Sequence, residues 1–277
     1  MRAWLAALLM TPILTVAAAA ETIHFRSATW PPTPLQLRLA RASGDTIAEQ
    51  ASVALTGELY RPAGQGPYPA VVLLHPCSGR LAPNLEQADA QRYIALGYAV
   101  LAVDSFGARG IVDGCAGGGA SVDVVMDAYG ALMHLAGLPS IDAERIALVG
   151  YSYGGSMALS AVAFDGPERL FDRQFRVAVA YSPTCPDHSA VAVGVPTLIL
   201  TGAQDEWAPP RFCQRMMARR SGHGASIKLV VYPDAGHAFN LPLASRRHYG
   251  YRLEYNEPAD RAAWSETVAA LRAALDR

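Results

Sequence analysis

Apolar side chains in this chain fall in short, nearly continuous blocks rather than in strict alternation with polar ones. Ala70–Leu74, Ala99–Val103, Ile146–Val149, Val177–Tyr181, Thr197–Leu200 and Ile227–Tyr232 are each four to six residues long and dominated by aliphatic or β-branched residues. Blocks of this kind suit strands covered on both faces, as in a parallel sheet. Between them lie stretches of helical character near Glu86–Leu96, Val122–Ala136, Tyr153–Phe164 and Pro210–Arg220. A last one, Asp260–Leu275, places Ala262, Val268, Leu271 and Leu275 on approximately helical spacing. Strand and helix in repeated alternation predict a doubly wound α/β sheet with helices on both faces. Thr22–Arg26 and Ser52–Arg61 are expected to add antiparallel strands at one edge, and Trp30–Pro34 between them is too proline-rich to sit inside a sheet. There is no internal repeat, and Gly114–Ala120 reads as a flexible loop rather than a domain linker.

Composition narrows the class. With 277 residues, 51% of them hydrophobic and 17% charged, the chain suits one domain with a sizeable core, expected over residues 21–277. A net charge of −1, with no long run of Lys or Arg, removes the attraction that drives binding to nucleic acid or anionic membrane. Residues 1–20 read as a secretory signal peptide: Arg2 gives a positive start, Leu5 to Val16 an apolar stretch, and Ala17 to Ala20 a small-residue site with cleavage after Ala20. The apolar stretch is shorter than the roughly 20 residues a spanning helix needs, and Pro12 interrupts it. With no second apolar segment long enough to span, the expected product is a soluble periplasmic or secreted protein without membrane insertion. Export changes the meaning of Cys77, Cys115, Cys185 and Cys213, because an oxidising compartment lets thiols pair. An even number favours two disulfides, with three pairings open, and no spacing resembles the paired ligands of a zinc site.

The chemistry is carried first by Gly150-Tyr151-Ser152-Tyr153-Gly154-Gly155, which follows the strand Arg145–Val149 directly and opens an Ala-rich helical stretch. Strand before and helix after are what a nucleophile elbow requires. The turn is tight, so the residues two before and two after Ser152 must be small, and Gly150 and Gly154 stand there. A glycine-rich turn with Ser152 as a mere helix cap is the plainer reading. A phosphate loop is disfavoured because no Lys-Ser or Lys-Thr follows the glycines.

A serine nucleophile needs a base within hydrogen-bond reach. The chain order Ser, acid, His leaves His188, His223, His237 and His248. His237, in Asp234-Ala235-Gly236-His237 just beyond Ile227–Tyr232, sits at the carboxyl end of a strand, with Gly236 expected to allow the turn. His223 lies at the wrong end of that strand, His188 precedes the expected acid, and His248 reads as a surface residue among arginines and aromatics. Asp205, in Thr201-Gly202-Ala203-Gln204-Asp205, stands at the carboxyl end of the preceding strand and is expected to orient the imidazole. Asp234, read as a loop brace, and Asp187 are weaker rivals. The oxyanion hole is expected from the N–H groups of Tyr153 and Cys77, since Pro76 has none, with His75 bracing that loop. Trp207 and Tyr153 are expected to wall the substrate pocket, and Arg109 either meets an anionic substrate there or pairs with Asp104 or Asp113.

Taken together, Leu-Leu-His75-Pro-Cys-Ser-Gly79, Asp104-Ser-Phe-Gly-Ala-Arg-Gly110, Gly150-Tyr-Ser-Tyr-Gly-Gly155, Gly202-Ala-Gln-Asp205 and Gly236-His-Ala-Phe239 resemble the successive motifs of the dienelactone hydrolase family of α/β-hydrolases. The resemblance implies an eight-stranded α/β-hydrolase sheet and hydrolysis of small-molecule esters or lactones with no metal and no cofactor. Two departures bear on substrate. The enzyme that named the family uses cysteine where this chain has Ser152, which points to serine-esterase chemistry. That enzyme also carries an arginine shortly after its histidine, where this chain has Asn240, Leu241 and Pro242. The same resemblance pairs Cys77 with Cys115 and Cys185 with Cys213. The expected reaction runs through an acyl-enzyme on Ser152. A peptidase, an acyltransferase and a non-catalytic binding protein of the same fold are the alternatives.

Overall fold

The computed structural model describes residues 20–47, 50–116, 122–164, 166–186, 192–220 and 222–276. The signal segment, apart from Ala20, lies outside the described residues, as do most of the Gly114–Ala120 loop, Asp187 and His188.

In chain order the strands and α-helices are β1 (Glu21–Arg26), α1 (Pro34–Ser43), β2 (Ala54–Tyr60), β3 (Tyr68–Leu74), α2 (Pro83–Ile94), β4 (Ala99–Asp104), α3 (Val124–Ala136), β5 (Ile141–Tyr151), α4 (Tyr153–Ala161), β6 (Ala178–Tyr181), β7 (Thr197–Gly202), α5 (Arg211–Ala218), β8 (Ile227–Tyr232), β9 (Arg246–His248), β10 (Tyr251–Leu253) and α6 (Glu257–Leu275). Eight strands form one sheet in the order β1-β2-β4-β3-β5-β6-β7-β8. β1 meets β2 and β2 meets β4 antiparallel, as expected for that edge, and every pairing from β4 to β8 is parallel. β9 and β10 form a separate antiparallel hairpin.

The two-residue period of the central strands feeds two cores. Ala70, Val72 and Leu74 of β3 face the layer that includes Leu132 and Leu135 of α3, Leu159 of α4 and Met216 of α5. Val71 and Leu73 face the other layer, with Tyr93 of α2 and Ala263 and Leu271 of α6. Burial on both faces is why these strands are apolar throughout, and each fully buried aliphatic side chain contributes about 1.5–3 kcal/mol. Helix boundaries follow local caps. Asp123 accepts from the Met126 N–H at the start of α3, and Asn256 accepts from the Ala259 N–H at the start of α6, which therefore begins before Asp260.

Two elements depart from the expected layout. α1 follows the proline-rich stretch, with Thr33 and Gln36 forming a capping box and Pro34 in the first turn. None of its residues is buried, and Leu35, Leu37 and Leu39 are exposed, so no core-facing stripe announces it. The β9–β10 hairpin turns through Tyr249 and Gly250, both in the left-handed region (φ 49° and 84°). Its three-residue strands are too short for a periodicity argument. Among the described residues no helix is long and apolar enough to cross a membrane.

Candidate active site

β5 delivers its last residue, Tyr151, straight into Ser152, whose backbone is strained at φ 53°, ψ −113°, and α4 begins at the next residue. The glycines make this turn possible. A Cβ on Gly150 would lie 2.2 Å from the Gly154 carbonyl oxygen, and one on Gly154 would lie 2.4 Å from that of Leu74. The Ser152 N–H donates to the Tyr181 carbonyl at 2.8 Å, locking the turn to β6. Ser152 Oγ thereby stands 2.9 Å from His237 Nε2.

The histidine loop after β8 and the acid loop after β7 are strapped together. The N–H groups of Ala203 and Gln204 donate to the carbonyls of Tyr232 and Ala235 at 2.8 and 2.9 Å. At Gly202 the two backbones approach so closely that a Cβ would lie 2.1 Å from the Ala235 oxygen. This strapping holds His237 Nδ1 at 2.8 Å from Asp205 Oδ2, with both residues buried. Asp205 Oδ1 accepts from the N–H groups of Trp207 and Ala208 at 3.0 and 2.7 Å, which fixes the carboxylate plane. With the Nδ1 proton directed to Asp205, Nε2 is left to accept from the serine hydroxyl. Gly236 does not make the turn as expected: its φ is not positive, and Ala238 carries the left-handed conformation instead (φ 61°). Asp234 is exposed, and it braces the loop through its backbone carbonyl, which accepts from Asn256 Nδ2 at 2.8 Å.

A cavity of about 280 Å³ opens above Ser152 and His237, with Cys77, Trp207 and Leu241 among its lining residues. Tyr153, the residue after Ser152, opens α4, and Cys77 lines the cavity. The loop carrying Cys77 is braced at His75, as expected. His75 Nδ1 donates to the Pro76 carbonyl at 2.7 Å, the Ser105 N–H donates to His75 Nε2 at 3.3 Å, and burial pushes the imidazole pKa down, keeping it neutral. Both disulfides form as the resemblance implied, Cys77 with Cys115 and Cys185 with Cys213. The first ties the Cys77 loop to the loop after β4, and the second ties the loop after β6 to α5.

Arg109 is not a cavity residue. Its guanidinium grips the buried Asp127 of α3 in a two-pronged pair at 2.8 and 2.9 Å and donates to the Ser105 carbonyl at 2.6 Å, so neither substrate nor Asp104 nor Asp113 is its partner. His223 is exposed. His248, expected at the surface, lines the cavity, and Arg80 and Arg246 line it too. Sequence reading placed His248 at the surface and found no signal for Arg80 or Arg246, because the hairpin and the Cys77 loop bring them in from separate parts of the chain. Arg80 is bound to Glu86 and lies 3.6 Å from Glu58. His248, Asp113 and Cys115 bring potential metal-ligand atoms within 4.8 Å of one another, but the Cys115 sulfur is bonded to Cys77 and offers no thiolate. Tyr151 and Tyr181 also line the cavity. Tyr151 donates to Asp89 at 2.6 Å, and burial raises the Asp89 pKa to about 6.

Comparison with known proteins shows the family and the fold. The profile of the dienelactone hydrolase family matches residues 55–275. A Bradyrhizobium protein named as a probable 2-oxo-3-(5-oxofuran-2-ylidene)propanoate lactonase is 28% identical over 158 residues, covering 54% of this chain and 58% of that protein. A putative carboxymethylenebutenolidase of Methylorubrum extorquens is 26% identical over 246 residues, covering 79% of this chain and 81% of the relative. Several other matched relatives are covered over only about half their length. Among solved structures, a putative dienelactone hydrolase from Klebsiella pneumoniae superposes with a TM-score of 0.62 at 19% identity, covering 91% of this chain and 98% of that one, a likeness that shows the fold.

Proposed function

Because the chain belongs to the dienelactone hydrolase family, we propose that it is a serine hydrolase that cleaves a small-molecule carboxylic ester or lactone through an acyl-enzyme. The observation that carries this is the unbroken hydrogen-bonded line from Ser152 Oγ through His237 to Asp205, lying at the base of a cavity.

In this mechanism Ser152 Oγ bonds to the acyl carbon as its proton passes to His237 Nε2, and the carbonyl π pair moves to oxygen. The N–H groups of Cys77 and Tyr153 receive that oxyanion. Collapse expels the alkoxide, which takes the proton from His237. Water then repeats the sequence with His237 as base, releasing the acid and restoring Ser152. Asp205 holds the tautomer and stabilises the imidazolium without itself taking the proton. The reading includes export: removal of residues 1–20 leaves one domain over 21–277 in an oxidising compartment, in keeping with the two disulfides.

The test is turnover of a panel of p-nitrophenyl esters and lactones beside peptide anilides, in wild type and in Ser152→Ala. The expected result is ester or lactone turnover in wild type, its loss by a factor of about 10⁶ in the variant with an unchanged circular-dichroism spectrum, and fluorophosphonate labelling only where Ser152 is present. Undiminished hydrolysis by Ser152→Ala sinks the proposal.

A further inference from the structure

Trp207 follows Asp205 by two residues, and its indole lies against the His237 imidazole, with ring centroids 5.3 Å apart and planes 30° apart. Its backbone N–H donates to Asp205 Oδ1. One residue therefore touches the acid through its main chain and the base through its ring. Tyr251 of β10 stacks on the same indole at 5.0 Å and 24°, and His248 of β9 abuts it at 5.7 Å. The hairpin that carries these rings is itself fastened to the histidine loop. Leu253 bridges to His237, and the Glu254 N–H donates to the His237 carbonyl at 3.3 Å. An indole held this way cannot swing off the imidazole without moving β10.

We infer that Trp207 is a positioning residue that strengthens His237 as a base, presenting its π face to the imidazolium that forms when the Ser152 proton moves to Nε2. The inference rests on the proposed role of His237. The two partners act in different directions: Asp205 meets the ring edge at Nδ1, where the charge-assisted hydrogen bond lies, and the indole meets the ring face, where an aromatic quadrupole attracts a cation. The neutral imidazole gains little from the indole and the cation gains more. The difference lowers the barrier to the charged intermediate. The other groups around His237 are Ser152 in contact, His248 beyond the indole with Asp113 at 3.6 Å, Arg80 and Arg246 on the cavity wall, and Glu254, paired with Arg252, beside its main chain.

The experiment is the pH profile of kcat/KM for p-nitrophenyl acetate in wild type, Trp207→Leu, Trp207→Phe and His248→Gln. The acid limb reports the base of the free enzyme. In Trp207→Leu it is expected to move to lower pH by about 0.4–1.5 units, with kcat lowered about 2- to 30-fold and KM changed less. Trp207→Phe, which keeps an aromatic face, is expected to fall between. His248→Gln is expected to leave the limb in place, which excludes His248 as its source. Leucine keeps the position apolar without an aromatic face, so a packing role alone predicts lost kcat with a fixed limb, and that result overturns the inference. A limb moved to higher pH overturns it too. Should Trp207→Leu fail to fold, Trp207→Phe and Tyr251→Leu carry the test, and a fixed limb in both is the refuting result. Fluorophosphonate labelling of the same preparations separates the two levels. Labelling with a fixed limb defeats only the role of Trp207, whereas wild type without labelling defeats the serine-hydrolase reading beneath it.

Discussion

Replacing Gly202 with alanine adds one methyl group at the seam between the acid and histidine loops. The new Cβ would stand 2.1 Å from the Ala235 carbonyl oxygen, and real Cβ contacts essentially never fall below 3.0 Å, so the seam must open by at least 0.9 Å. The atom in the way is backbone, so no side chain can turn aside. Asp205 lies three residues after Gly202, and His237 lies two after Ala235. An opening passed in full to the 2.8 Å hydrogen bond between them lengthens it to about 3.7 Å, past the range in which it holds the imidazole. Misplacement of this size at a reacting group costs about 10² in rate, and the strain costs about 1–3 kcal/mol of stability. Steady-state ester hydrolysis and thermal unfolding of Gly202→Ala measure both. Gly236→Ala is the control, since a Cβ there meets nothing closer than 3.8 Å, and it is expected to keep near-wild-type turnover. Wild-type kcat in Gly202→Ala would show that the backbone approach does not set the Asp205–His237 geometry.

Two further outcomes follow from groups outside the triad. Arg109→Ala strips the buried Asp127 of its two-pronged partner and is expected to destabilise the fold by about 3 kcal/mol in urea unfolding while leaving KM for neutral esters unchanged; a raised KM at full stability would return Arg109 to the substrate's path. Asp89, whose carboxyl is raised by burial to about 6, binds its proton more tightly folded than unfolded, so the contribution of this group to stability increases as pH falls from about 6 to about 4. Urea titrations of wild type and Asp89→Asn across that window are expected to show this increment, at most ~3 kcal/mol and reduced by partial exposure, in wild type alone; parallel stability curves would contradict the burial argument.

The central strands and the Ser152, Asp205 and His237 positions were legible in the sequence because each depends on a local signal. A strand buried on both faces is apolar at every position, and each of the three residues comes just after the carboxyl end of such a strand. What escaped depends on contacts between distant segments. Arg109 was expected to meet an anionic substrate or to pair with Asp104 or Asp113, near it in the chain, yet its partner is Asp127 on α3. The β9–β10 hairpin carries Arg246, Arg247 and Arg252 and reads as polar loop; only its pairing with His237 through Leu253 gives it a place, and with it His248 and Arg246 reach the cavity. α1 is the converse case. Its Thr33–Gln36 capping box is a local signal that was present and passed over, since a helix that buries nothing shows no apolar stripe. The turn beside His237 was assigned to Gly236 on residue type, whereas Ala238 takes the left-handed backbone under tertiary constraint.

The two disulfides also bear on how the chain withstands proteases. Exposed loops open more readily than core strands and are preferred sites of nicking. Cys77–Cys115 and Cys185–Cys213 each enclose such a region, with sequence separations of 38 and 28 residues. A single cut inside either span leaves the two fragments joined through sulfur, so the cleaved ends stay close to the sheet. A chain nicked there would run as one species without reductant and as two with it.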